Sequence, residues 1–215
     1  MKQAIFTILL IFALVGLASA EQVCTESEYK GRTIQKCRDT GSPGGGSFSD
    51  SFTDPRDGQT YWTVQIGNQT WMAENLNYKM KGSYCYDDES ANCRKYGRLY
   101  TWNAALNACP SGWHLPSKAE FETLIATVGG TSKAAKVLKS KSGWEDDGNG
   151  TDTYGFSALP AGDGKYARFW GASESYRDRD DAYVMDLDYD DVRADLHYKD
   201  KDNGGSVRCL RDSRL

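Results

Sequence analysis

Tyr183-Val184-Met185-Asp186-Leu187-Asp188-Tyr189, then Asp190-Asp191, then Val192-Arg193-Ala194-Asp195-Leu196-His197-Tyr198 is the stretch on which the fold turns. In the first run Tyr183, Met185, Leu187 and Tyr189 alternate with Val184, Asp186 and Asp188; in the second, Val192, Ala194, Leu196 and Tyr198 alternate with Arg193, Asp195 and His197. Successive side chains of a strand point to opposite faces, so a period of two with one polar side predicts an antiparallel sheet covered on one face. Residues 206–210 read as a last strand, with Val207 and Cys209 on one face.

Upstream, Tyr61-Trp62-Thr63-Val64-Gln65-Ile66 and Gln69-Thr70-Trp71-Met72 flank Gly67-Asn68, a two-residue loop suited to a primed hairpin turn. Residues 99–109 predict a short helix with Trp102, Ala105, Leu106 and Cys109 on one stripe, stopped by Pro110-Ser111-Gly112. Ser117-Lys118-Ala119-Glu120 is a capping box; Phe121, Leu124, Ile125 and Val128 follow at helical spacing, and Gly129-Gly130 close the helix. A third short helix is expected over 132–139, then a Gly- and Asp-rich loop over 141–165 anchored by Trp144, Tyr154 and Phe156. The order hairpin, helices, loop, sheet predicts an α+β domain with two to three short helices and a twisted antiparallel sheet.

Lys2, an apolar run over 4–17 and Ala18-Ser19-Ala20 predict a signal peptide over residues 1–20, cleaved after Ala20, and hence a secreted or cell-surface protein with no transmembrane segment in its mature form. Residues 21–51 hold one Cys pair and a Gly/Ser-rich linker, and the main domain is expected over 52–215. With 26 Lys+Arg against 30 Asp+Glu, nothing suggests a nucleic-acid surface, which runs on cationic excess. Six Cys in an exported chain read as disulfides. Fifteen pairings are formally possible; the economical one is Cys24 with Cys37, Cys85 with Cys93, and Cys109 with Cys209. The last closes a loop of about a hundred residues, worth about 4–5 kcal/mol in the chain-entropy model.

Three further stretches complete a pattern: Asp54-Pro55-Arg56-Asp57-Gly58-Gln59-Thr60-Tyr61, Ile66-Gly67-Asn68-Gln69-Thr70-Trp71-Met72-Ala73-Glu74-Asn75-Leu76, and Tyr96-Gly97-Arg98-Leu99-Tyr100-Thr101-Trp102. With Cys109-Pro110-Ser111-Gly112-Trp113-His114-Leu115-Pro116, Tyr154-Gly155-Phe156-Ser157-Ala158-Leu159-Pro160 and Ser206-Val207-Arg208-Cys209, they resemble the Fibrobacter succinogenes major paralogous domain. The resemblance implies an exported bacterial protein of no established reaction. A broader resemblance is to C-type-lectin-like domains, which also tie a first-helix Cys to one in the last strand. Their Glu-Pro-Asn and Trp-Asn-Asp calcium-dependent sugar signatures are absent, so the fold is implied without that activity.

Between Glu174 and Asn203 stand eleven acidic and five basic residues, a local charge of −6 against −4 for the whole chain. Such a run serves as a solvated sheet face, a calcium-binding surface or a recognition face whose carboxylates accept hydrogen bonds from sugar hydroxyls. Asp146-Asp147-Gly148-Asn149-Gly150-Thr151-Asp152 fails the EF-hand template, and calcium, though chemically possible, is not among the expected cofactors. Trp170 beside Glu174 and Tyr176 adds aromatic surface. The expected ligand-binding residues are therefore Trp170, Glu174, Tyr176, Asp186, Asp188, Asp195 and His197. No nucleophile–base set emerges, because His114 lies in a turn motif and the Cys are expected to be oxidised. The expectation is a non-catalytic binding module for polysaccharide or a surface protein. A structural cell-envelope component or a carboxylate-dependent hydrolase is the alternative.

Overall fold

The computed structural model describes residues 22–29, 32–39 and 48–212, with side chains from residue 50 onward. The chain divides into two units, Met1–Pro43 and Gly44–Leu215. The first contains a hairpin of β1 (Gln22–Tyr29) and β2 (Arg32–Asp39), whose backbone register sets Cys24 opposite Cys37. The bridge expected between them lies outside the described side chains. The signal peptide expected over 1–20 lies outside the described residues.

The second unit carries two sheets. In the five-stranded one, β3 (Phe48–Thr53), β4 (Thr60–Ile66) and β5 (Gln69–Met72) form an antiparallel meander. The turn between β4 and β5 places Gly67 at φ +61, as a primed loop requires at its first central position. β3 begins inside the stretch expected as linker, and its Phe52 packs on Trp113 with ring centroids 5.5 Å apart. The Gly/Ser composition there does not prevent pairing to β4. The sheet is completed by β13 (Leu210–Arg211) and β8 (Trp113–His114).

The six-stranded sheet runs β11 (Ala194–Asp200), β10 (Asp181–Asp188), β9 (Tyr166–Glu174), β12 (Gly205–Ser206), β7 (Leu99–Tyr100), β6 (Ser83–Tyr84). It is antiparallel apart from the β12–β9 contact, which is parallel. The helix expected over 99–109 is not continuous. Leu99 and Tyr100 pair as β7 with β6 and β12, and only α2 (Trp102–Ala105) is helical; sheet pairing overrides the local helical pattern. The final strand expected over 206–210 is also split. β12 belongs to one sheet and β13 to the other, and residues 207–209 cross between them, with the Val207 and Cys209 carbonyls accepting from the amides of Leu76 and Met72.

α1 (Ser90–Tyr96) follows a 3-10 turn at Tyr86–Asp88 and is held by the Cys85–Cys93 disulfide. α3 (Lys118–Thr127) opens on the full capping box of Ser117 and Glu120, and α4 (Thr131–Leu138) follows directly. Phe121, Leu124, Ala135 and Leu138 pack on Phe169, Met185 and Leu187 in one core, while Trp102, Trp113, Trp170, Val184, Val207 and Cys209 make a second. The Cys109–Cys209 disulfide lies at the second core.

Candidate ligand-binding face

β10 and β11 pair with Tyr183 opposite Tyr198. Their hydroxyls are 2.9 Å apart and their ring centroids 4.6 Å. After β9 the chain turns tightly: Ser175 Oγ accepts from the amides of Arg177 and Asp178 (3.1 and 3.2 Å). That turn projects Tyr176, 76 % exposed, edge-on against the Tyr198 ring at 5.8 Å. Arg177 Nε donates to the Tyr176 hydroxyl (3.2 Å), and its guanidinium lies 5.6 Å from the Tyr176 ring centroid and 5.8 Å from that of Tyr198. Lys118, at the start of α3, places its ammonium 5.3 Å from the Tyr183 ring and pairs with Glu122; its backbone amide donates to Ser173 Oγ (3.0 Å). The Tyr198 hydroxyl beside Tyr176, helped by Arg177, holds the Tyr176 phenol below its ordinary pKa. Desolvation and the neighbouring phenols push Tyr198 up. Glu174, at the end of β9, has the Lys201 ammonium 3.5 Å away.

The opposite face of β10 carries a different group. Asp186 lies opposite Asp195 on β11 and Arg168 on β9. Its carboxylate accepts from Arg168 Nε (3.0 Å) and has His197 Nε2 at 3.5 Å. Burial raises the Asp186 pKa, while Arg168 opposes the shift. Asp188 continues the same face two residues on. One carboxylate oxygen of Asp186 and one of Asp188 are buried without a hydrogen-bond partner among the described residues.

The seven expected residues thus divide. Glu174 and Tyr176 stand at the tyrosine end, while Asp186, Asp188, Asp195 and His197 share the other sheet face, where the polar pattern of the sequence put them. Trp170 is not on a surface at all, which corrects its expected role. It is 0 % exposed at the middle of β9, its indole N–H donating to the Tyr100 carbonyl (2.8 Å), because β9 at that point lies between the two cores, with Phe169 in one and Trp170 in the other. Sequence reading missed Tyr183, Tyr198 and Arg177 as members of the cluster. The signal was present, since Tyr183 and Tyr198 are equally distant from the Asp190-Asp191 turn and so must face each other in a regular hairpin. Among the described residues no group of three or more His, Cys, Asp or Glu is placed to hold a metal ion.

Fold and face together define a small disulfide-tied α+β domain with an exposed aromatic cluster, consistent with a binding module. No helix among the described residues is long and apolar enough to cross a membrane. Residues 64–211 match the Fibrobacter succinogenes major domain, and the chain belongs to that family. No curated protein and no solved structure matches the chain.

Proposed function

We propose that the domain is an exported, non-catalytic module that holds polysaccharide against its tyrosine end, with Tyr176 as the stacking platform. The observation that carries this reading is the 76 % exposure of a Tyr176 ring braced by Tyr198 and Arg177. An aromatic ring with a polar edge, held in place by its neighbours, presents large contact area at low conformational cost. Sugar rings offer C–H faces to such a ring, and their hydroxyls find acceptors and donors in Glu174, Arg177 and Lys118. The Lys2-to-Ala20 leader supports export, and the paired Cys109 and Cys209 support a lectin-like kinship. Binding draws on ring faces and hydrogen bonds and needs no metal.

The test is retention on insoluble cellulose, xylan and chitin, with and without EDTA. At least one matrix is expected to retain the protein equally under both conditions, with most of the retention lost in Tyr176→Ala. No retention on any matrix, or retention that Tyr176→Ala leaves intact, overturns the reading.

A further inference from the structure

A cavity of about 230 Å³ opens between the segment after β5 and the C-terminal end of α1, sharing no residue with the tyrosine end. Trp62, Asn75, Asn77, Arg94, Lys95 and Tyr96 are among its lining residues. Its walls are fixed. Gly97 at φ +79 lets the chain leaving α1 press on the neighbouring segment, where a Cβ would sit 2.7 Å from that of Asn75. Arg98 N–H donates to the Leu76 carbonyl (3.0 Å), Asn75 Nδ2 donates to the Tyr96 carbonyl (2.9 Å), and the Cys85–Cys93 disulfide anchors α1.

Behind this wall lies Arg208, 0 % exposed. Its Nε and Nη2 donate to Asn75 Oδ1 (3.2 and 2.6 Å), and its remaining bonds go to the carbonyls of Met72, Phe156 and Ser157. No carboxylate forms an ion pair with it among the described residues. Asn75 and Ser157 also line the cavity, so a buried cation sits directly beneath its floor. Arg94 and Lys95 stand exposed at the rim, the Lys95 ammonium placed 4.6 Å over the Tyr96 ring. Three cations thus face Glu74 in the lining and Asp152, bonded to Ser157 behind it. In a chain of net charge −4 this is a local reversal of sign. A low-dielectric floor with a fixed charge favours an anion above it. Asn77, also in the lining, has its Oδ1 buried without a hydrogen-bond partner among the described residues.

We propose that this cavity is a second binding site, for one carboxylate-bearing sugar unit, a hexuronate. Its volume is below the roughly 300–1,000 Å³ of sites for drug-sized ligands and suits a single ring. Trp62 and Tyr96 supply aromatic surface, Asn75 fixes the floor through its bonds to Arg208 and the Tyr96 carbonyl, and Arg94, Lys95 and the field of Arg208 supply the charge selectivity. The site does not depend on the tyrosine end being a glycan platform.

The test is a two-dimensional amide NMR titration of the chain with methyl glucuronoside and, in parallel, methyl glucoside. The glucuronoside is expected to move the Trp62 indole and the Asn75 and Asn77 side-chain amide signals. Binding should weaken at least tenfold in Arg94→Glu/Lys95→Glu, which alters only exposed rim residues, and should also weaken as NaCl is raised. Tyr176→Ala is expected to leave these shifts unchanged, which separates the two sites. Absence of shifts at those side chains, equal responses to the two glycosides, or affinity indifferent to both the double reversal and salt overturns the proposal.

Discussion

At the scale of single residues, two charged side chains hold the domain's seams. Arg208 is buried with no carboxylate in ion-pair contact among the described residues, and desolvation, opposed by the charges of Glu74 and Asp152, pulls its pKa down to about 9, so it remains a cation at neutral pH. Its guanidinium also lies over the Phe156 and Phe169 rings, 4.4 and 5.3 Å from their centroids. Replacing it with Leu strands Asn75 Oδ1 and several carbonyls, at about 1–3 kcal/mol for each buried group left unsatisfied. Arg208→Leu is therefore expected to lower stability by at least about 3 kcal/mol in urea unfolding, and Arg208→Lys to recover only part, because an ammonium lacks the planar fork. His114 joins β8 to the chain end and to α3 through Asp212 (2.6 Å) and Glu120 (2.9 Å). Burial works against its charge, but the hydrogen bonds of Asp212 and Glu120 outweigh it and raise the pKa above the usual 6.5. The clamp's contribution is thus complete below about pH 6.5 and fades as pH rises through the raised value. The group is partly exposed, so the effect is about 1 kcal/mol or less. Thermal midpoints of wild type and His114→Gln should differ at pH 6 and converge toward pH 9; a gap that widens with pH contradicts the clamp.

At the scale of elements, what could be read in advance was what is encoded locally. The capping box at Ser117 forms as its spacing dictates, with Ser117 Oγ accepting from the Glu120 amide and the Glu120 carboxylate accepting from the Ser117 amide. Ser117→Ala should cost about 1 kcal/mol by thermal or chemical unfolding; no measurable loss would mean the cap is redundant. The 61–72 hairpin and the alternation of β10 were legible for the same reason. β9 was not, because Ala167 and Phe169 enter one core while the opposite face holds Arg168 and then the buried Trp170, so its polar side is broken off after one residue. β7 hid inside a helical pattern because its pairing partners lie more than a hundred residues onward and about fifteen residues back. The candidate face was half legible for a related reason. Asp186, Asp195 and His197 follow from alternation, whereas Tyr176 joins Tyr183 and Tyr198 only through the turn at Ser175, whose geometry no periodicity encodes.

At the scale of the whole molecule, residues 207–209 carry the chain from one sheet to the other, and Cys209 in that crossing is bonded to Cys109. Their sequence separation is 100, against 8 for Cys85 and Cys93. Loop-closure entropy then predicts losses of about 4–5 kcal/mol for Cys109→Ser/Cys209→Ser and about 2–3 kcal/mol for Cys85→Ser/Cys93→Ser in urea unfolding. The reverse ranking would mean that local strain or denatured-state structure, rather than chain closure, sets their value. Among the described residues Tyr176 is the aromatic ring most open to solvent, and the proposed recognition rests on it. The most direct measurement is affinity electrophoresis through gels containing the soluble form of the retained polysaccharide, comparing wild type, Tyr176→Phe and Tyr176→Ala. Tyr176→Phe is expected to stay within about threefold of wild-type affinity and Tyr176→Ala to fall at least tenfold, since losing the ring removes stacking worth roughly 1.4 kcal/mol or more. Equal migration of all three in polysaccharide and blank gels would contradict it.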